Sequence, residues 1–438
     1  MLTRFHAEYA WLGGDAATPD VLIEIDNGRI TGVRPGGDKS ATHLKGLTLP
    51  GLANAHSHAF HRALRGRTHS GGGTFWTWRD RMYAVAARLD PDSYHALARA
   101  VYAEMALAGI TCVGEFHYLH HTPSGGPYDN PNAMGEALMA AAADAGIRIT
   151  LLDTCYLSST VDGRPLGPPQ RRFGDGSAES WAERVDTLKP PSHARIGAAV
   201  HSVRAVPADQ IGTVADWAGR RDAPLHVHLS EQRAENEACL AHYGRTPTEL
   251  LSDTGALGPR TTAVHATHLT DLDRTDLGDT DTAICLCPTT ERDLADGLAP
   301  ARPLVDAGSP LCLGSDSHAI VDLFEEARAV ELDERLRTER RGHFPAADLL
   351  TAATAAGHRA LGWDDAGTLT AGARADLVTV RLDTVRAAGL PPGPALVYAI
   401  GAADVTHVVV DGRTIVSDGR HVDIDASAAL AATIGALW

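Results

Sequence analysis

Apolar, β-branched runs alternate with amphipathic stretches along most of the chain. Eight such runs, at 48–56, 110–118, 147–155, 195–203, 224–230, 261–267, 282–288 and 310–316, predict strands. The clearest helix is predicted over 91–108. There Tyr94, Leu97, Ala98, Val101, Tyr102 and Met105 keep helical spacing, Pro91 suits the first turn and Gly109 the stop. Eight strands alternating with helices is the count of a closed (β/α)8 barrel. A doubly wound sheet shares the alternation, but no Gly-x-Gly-x-x-Gly follows the first strand. Two further patterns lie outside these runs: alternating segments joined by Asn27-Gly28 within 20–34, and by Asp411-Gly412 within 408–416. A lone hairpin is marginal in water, so the two are expected to share one small sheet beside the barrel.

Composition narrows the class. The 438 residues, 44% apolar, support a large core. With 55 acidic against 39 basic residues the net charge is −16, which argues against a nucleic-acid or anionic-membrane surface and leaves an anionic substrate dependent on local positive charge. The six cysteines are scattered without a Cys-x-x-Cys pair, so they read as buried thiols of a reducing compartment. No basic start leads into an apolar core and no run of about 18 apolar residues occurs, so the expected location is the cytoplasm. Lys39, Lys45 and Lys189 are the only lysines, and their positions exclude a phosphate-binding Walker loop. Gly71-Gly72-Gly73 and the Gly-, Pro- and Arg-rich segment 157–178 read as long loops.

Ligand-capable residues fall at the C-terminal ends of the predicted strands. Strand one ends in His56-x-His58, whose imidazoles share a face because strand side chains alternate. Strand two ends in Glu115-Phe-His117-Tyr118, strand four in His201-Ser-Val-Arg204, strand five in His226-Val-His228-Leu-Ser-Glu231. Strand six ends in His265-Ala-Thr-His268 and strand eight in Ser315-Asp316. A closed barrel brings these ends to one mouth. His56, His58, a third nitrogen from His226 or His228, and Asp316 make a set suited to zinc with a position left for water. Such a metal lowers the pKa of its water to about 7, and Glu231 can accept the proton and pass it to a leaving group.

Taken together, Pro-Gly-Leu-x-Asn-x-His56-x-His58, His228-x-x-Glu231, His265, Ser-Asp316 and Gly372-Ala-Arg-Ala-Asp376-Leu-Val resemble the amidohydrolase superfamily over almost the whole chain. The resemblance implies a (β/α)8 TIM barrel (49–363) of the metal-dependent hydrolase type with a small β-sandwich from both chain ends (1–48 and 364–438). It implies His228 rather than His226 as the third histidine ligand. Superfamily members with two metals use a carbamylated lysine on strand four; no lysine lies in a predicted barrel strand, so one metal is expected, Zn2+ with Fe2+ as the alternative.

Further blocks are similar to the formimidoylglutamate deiminases: Phe75-Trp-Thr-Trp-Arg79, Glu115-Phe-His-Tyr118-Leu-His-His, His201-Ser-x-Arg204-Ala-Val, His228-Leu-Ser-Glu231-Gln and Val264-His-Ala-Thr-His268. That similarity implies hydrolysis of N-formimidoyl-L-glutamate to N-formyl-L-glutamate and ammonia in histidine degradation, and a homodimer. It implies Glu231, His265 and Asp316 as the catalytic residues, and Arg79, Tyr118, His201 and Arg204 as the substrate-binding residues. His61 stands where the resemblance implies Gln, which alters one carboxylate contact. Arginine forks suit carboxylates on physical grounds as well. The competing readings are a deaminase of a cyclic substrate such as guanine or a pterin, and a non-catalytic binding protein of the same fold.

The remaining histidines and aromatics read as structural. His318 is left out of the site; His117, His120 and His121 are expected to pack and hydrogen-bond around the pocket, Trp76 and Trp78 to pack in a loop, and Cys285 and Cys287 to fill the core.

Overall fold

The computed structural model describes residues 2–38, 40–68, 73 and 75–438; Lys39 and the Gly71-Gly72 part of the glycine run lie outside the described residues. Its centre is a parallel eight-stranded sheet in sequential order: β5 (Leu52–Ser57), β6 (Ile110–His117), β7 (Arg148–Cys155), β8 (Ala194–Val200), β9 (Leu225–Leu229), β10 (Thr261–His265), β11 (Ala283–Leu286) and β12 (Leu311–Leu313). Helices cross back between successive strands. β5 and the segment after β12 meet at a parallel bridge between Ser57 and Asp316, which closes the sheet on itself. The expected barrel is therefore the observed one. Because both faces of its strands are covered, β6 and β7 are buried at every position, polar residues such as Glu115, Arg148 and Asp153 included.

Strands from both chain ends form the second sheet. β1 (Thr3–Ala10), β2 (Thr18–Asp26), β3 (Arg29–Pro35) and β4 (Thr42–Pro50) join β13 (Leu377–Val380), β14 (Val405–Val410), β15 (Arg413–Ser417) and β16 (Arg420–His421) in the order β16-β15-β14-β13-β4-β1-β2-β3. Both expected hairpins are present. Asn27, Gly28, Asp411 and Gly412 all have positive φ, the backbone that a two-residue hairpin turn with matching twist requires. The sheet encloses its own apolar cluster, including Phe5, Ile23, Ile25, Leu44, Leu377 and Val409.

One predicted strand divides in two. The run 48–56 ends β4 at Pro50, passes through Gly51 and restarts as β5, so a single apolar run crosses from one sheet to the other. A side chain at Gly51 would collide with Thr111 and Asp376, which is why the crossing is made by glycine. The helix expected over 91–108 is α2 (Pro91–Leu107), capped by Asp90 and Ser93 in a reciprocal box. The stretch around Trp76 and Trp78 differs from its loop assignment. It is helix α1 (Phe75–Ala86), whose Met82, Val85 and Ala86 are buried at helical spacing. Phe75 and Trp78, three apart, lean on one another with ring centroids 6.0 Å apart.

Candidate active site

The closing seam of the barrel builds the floor of the site. The His58 amide donates to the carbonyl of Asp316 (3.2 Å) and the Asp316 amide to the carbonyl of His56 (3.0 Å), so two histidines and a carboxylate are locked together by backbone. Asp316 has φ 39° and His265 has φ 71°, left-handed values that non-glycine residues adopt only where the surroundings enforce them. His56 Nε2 and His58 Nε2 each lie 3.4 Å from Asp316 Oδ1, and His228 Nε2 lies 3.1 Å from His56 Nε2.

Two of the imidazoles have their orientation fixed from behind. His58 Nδ1–H donates to the Phe116 carbonyl and His228 Nδ1–H to the His201 carbonyl, both at 2.9 Å, leaving the Nε2 lone pairs turned inward. Burial holds His58 neutral down to about 3 and keeps His56 and His228 neutral as well. Burial raises the Asp316 carboxyl, but contact with His56 and the nearby His265 and His58 outweigh it and hold the group well below the usual carboxylate range. Neutral nitrogens facing one another beside an anionic oxygen repel unless a cation lies among them. His56, His58 and His228 bring ligand nitrogens within 4.8 Å of one another, and Asp316 Oδ1 adjoins two of them, a donor set whose chemistry fits a single zinc or iron(II) ion. His226, two residues before His228, points away and meets the Ala360 carbonyl at 3.0 Å.

Above this floor stand Glu231 and His265. His265 Nε2 is 3.9 Å from Glu231 Oε1 and 3.8 Å from Asp316 Oδ2, while its Nδ1 faces Glu291 Oε1 at 3.3 Å. Burial opposes charge on His265, yet the surrounding carboxylates, Glu231 first, raise it to about 10. Glu291 is in turn held by the Cys287 amide at 2.9 Å, so the ring of His265 is oriented through its Nδ1.

The wall of the cavity carries the remaining expected residues. Tyr118 Oη and His61 Nε2 are 2.9 Å apart, and His61 stacks beside His58 with centroids 4.5 Å apart. His201 lies against Tyr156, and its carbonyl is the one that holds His228. Arg79, on α1, rests over Trp76 and Tyr83, and its buried Nε has no hydrogen-bond partner among the described residues. Arg204 lies over Phe75 and contacts Glu231 and Glu235. Every residue expected in the site lines this one cavity except His56, which is fully buried against the ligand cluster.

Two residues that matter here, Glu291 and Glu235, were not singled out from the sequence, and a third, Glu115, was placed at its strand end without a role. Glu291 follows β11 on a short helix, Glu235 lies in the first turn of the helix Arg233–Tyr243, and Glu115 accepts from Ser57 Oγ (2.9 Å) and the Ala59 amide (2.6 Å) behind the histidine pair. His318 meets Ser57 at 2.9 Å outside the cavity. His120 donates to the Thr154 carbonyl and His121 pairs with Asp175, as structural histidines do. Asp153 beside His120 is already paired with Arg184. Cys285 and Cys287 pack with Cys312, Ala55 and Val264, and all six cysteines are buried and unpaired.

Comparison with known proteins shows the family and the fold. The model of the amidohydrolase family matches residues 47–415. The chain is 38% identical over 428 residues, 93% of its own length and 94% of the other's, to the formimidoylglutamate deiminase of Pseudomonas aeruginosa. An amidohydrolase from Brucella melitensis superposes with a TM-score of 0.91 at 32% identity, covering 99% of both chains. A zinc-bound adenosine deaminase from Xanthomonas campestris gives 0.85 at 25% identity, covering 98% of this chain and 96% of that one. With the family model matched over residues 47–415 and a relative 38% identical over nearly the whole of both chains, the chain belongs to the amidohydrolase family.

Proposed function

We propose that the chain hydrolyses N-formimidoyl-L-glutamate to N-formyl-L-glutamate and ammonia, with His56, His58, His228 and Asp316 holding one zinc ion per chain. The observation that carries this reading is a histidine–carboxylate cluster on the cavity floor facing two arginines on the wall, in a protein that is otherwise strongly acidic. A substrate with two carboxylates and a linear amidine matches both features. The likeness to the Pseudomonas deiminase supports the same substrate.

When bound, the zinc supplies Lewis acidity and lowers the pKa of a coordinated water from 15.7 to about 7. Arg79 and Arg204 hold the carboxylates through charge-assisted bonds, and Tyr118, His61 and His201 fill the wall between them. Glu231 takes a proton from the attacking water and delivers it to the departing nitrogen. His265, held by Glu291, directs its Nε2 at the reacting group, and Asp316 Oδ2 accepts a proton beside it. Water adds at the amidine carbon, its hydrogens pass to nitrogen, and the C–N bond to ammonia breaks.

The same reading includes a homodimer working in the cytoplasm on the histidine-degradation route, with iron(II) as the metal that competes with zinc for these ligands. Among the described residues no helix is long and apolar enough to cross a membrane. The test is ammonia release by metal-loaded protein from N-formimidoyl-L-glutamate, N-formimidoyl-L-aspartate and guanine, with metal content measured on the same sample. Fast release from the glutamate derivative alone is expected. Release from guanine alone would move the chain to the cyclic-substrate deaminases, and none from protein carrying one metal per chain would remove the deiminase reading.

A further inference from the structure

Arg204 is held by the same carboxylate that has to move protons. Its Nη2 donates to Glu231 Oε2 at 3.4 Å, and its Nε lies 3.5 Å from Glu235 Oε2. All three side chains are largely or wholly buried, so these contacts are shielded from competing water and salt. The two acids are not equivalent. Glu231 also faces His265 at 3.9 Å and lines the reaction side of the cavity. Glu235, on the helix Arg233–Tyr243, also borders the cavity, but its side chain is fully buried; apart from its ion pair with Arg204, neither carboxylate oxygen has a hydrogen-bond partner among the described residues.

A guanidinium has five N–H donors, enough for one permanent partner and one that exchanges. We propose that a substrate carboxylate displaces Glu231 from Arg204, so that capture of the substrate frees Glu231 for proton transfer, while Glu235 is the positioning residue that keeps Arg204 in place through the exchange. This rests on the deiminase reading only in taking a carboxylate as the incoming group. It makes Arg204 a specificity device that acts on turnover as well as on binding. A substrate lacking the carboxylate leaves Glu231 tethered, so recognition energy is used where it changes the rate.

The test is glutarate binding by calorimetry to the metal-loaded full-length protein and to Glu231→Gln, Glu231→Asp and Glu235→Gln. Circular dichroism and metal content are checked for each. A tether to Arg204 is a charge-assisted bond, so releasing it strengthens glutarate binding by about tenfold in Glu231→Gln. The same gain is expected in Glu231→Asp, which keeps the charge but shortens the reach. Glu235→Gln is expected to bind glutarate no better than the parent, because the guanidinium loses its anchor.

Equal tightening in Glu231→Gln and Glu235→Gln with none in Glu231→Asp would mean simple charge repulsion and would overturn the proposal. No glutarate binding by any of the proteins would also overturn it, because Arg204 would then not be a carboxylate receptor. Tightening in the two Glu231 variants without ammonia release from N-formimidoyl-L-glutamate by the parent would leave the exchange standing and remove the deiminase reading.

Discussion

His265 Nδ1 and Glu291 Oε1 lie 3.3 Å apart, and the same glutamate oxygen is held by the Cys287 amide at 2.9 Å. The histidine above the His56–His58–His228 cluster is therefore aimed by a side chain from the neighbouring strand end. Partners of this kind commonly contribute 10–100-fold to activity without touching substrate. Glu291→Gln keeps a hydrogen-bond acceptor but loses the charge. We expect its kcat to fall by about tenfold and that of Glu291→Ala by about a hundredfold, with KM little changed in both. Steady-state kinetics on protein with unchanged circular dichroism checks it. A change confined to KM would place Glu291 among the binding residues.

Metal removal is expected to abolish activity and, because four buried ligands then face one another uncompensated, to lower thermal stability too. Dialysis against a strong chelator followed by a melting curve measures the second effect without any substrate. Readdition of zinc should restore both. His228→Ala is expected to lose metal in elemental analysis while His226→Ala retains it, since only His228 turns its Nε2 into the cluster.

His358 supplies a pH signature far from the cavity. It is fully buried, neither ring nitrogen has a hydrogen-bond partner among the described residues, Asp376 lies 3.7 Å from its Nε2, and burial together with the nearby Arg148 pushes it down to about 3. In the unfolded chain a histidine titrates near 6.5. As pH falls from about 6.5 toward 3, the unfolded state therefore takes up a proton that the folded state refuses. Stability is lost over that window, by at most about 1.4 kcal/mol per pH unit from this residue. His358→Leu is expected to flatten the acid limb of the stability curve between pH 6.5 and 4. Urea titrations at several pH values measure it, and parallel limbs for variant and parent would show that His358 does not contribute.

The barrel and the second sheet are joined by a buried ion pair. Arg148, at the start of β7, binds both oxygens of Asp376 just before β13, and Asp376 also accepts the Asp411 amide at 3.0 Å. Removing one partner strands a buried charge, so Asp376→Asn is expected to cost about 3 kcal/mol or more. Chemical denaturation reads the loss, while ammonia release without denaturant should stay near the parent's because neither residue reaches the cavity.

Much of this was legible because it is local. Eight apolar runs, the two hairpin turns and the Pro91-to-Gly109 helix are written in spacing a few residues wide. Even the cavity residues could be collected, since strand ends converge in a closed barrel. Glu291 and Glu235 were not legible, because nothing about a glutamate on a polar helix says which side chain it meets across a gap of 26 or 31 residues. The Phe75–Trp78 segment was misjudged for the opposite reason. Three aromatic residues beside a glycine run suggest a loop, and only their packing against His61 and the α1 core makes a helix of them.

The second sheet also imposes an order on synthesis. Thr48 pairs with Thr379 in β13, 331 residues later in the chain. At about 5–20 residues per second a ribosome takes roughly 15–65 s to make that interval. For all that time β4 carries a bare edge, and the β1–β4 ribbon emerges with no partner for it. The nascent protein therefore exposes a strand edge until its last quarter is made, a window in which a chaperone or another unfinished chain can reach it first.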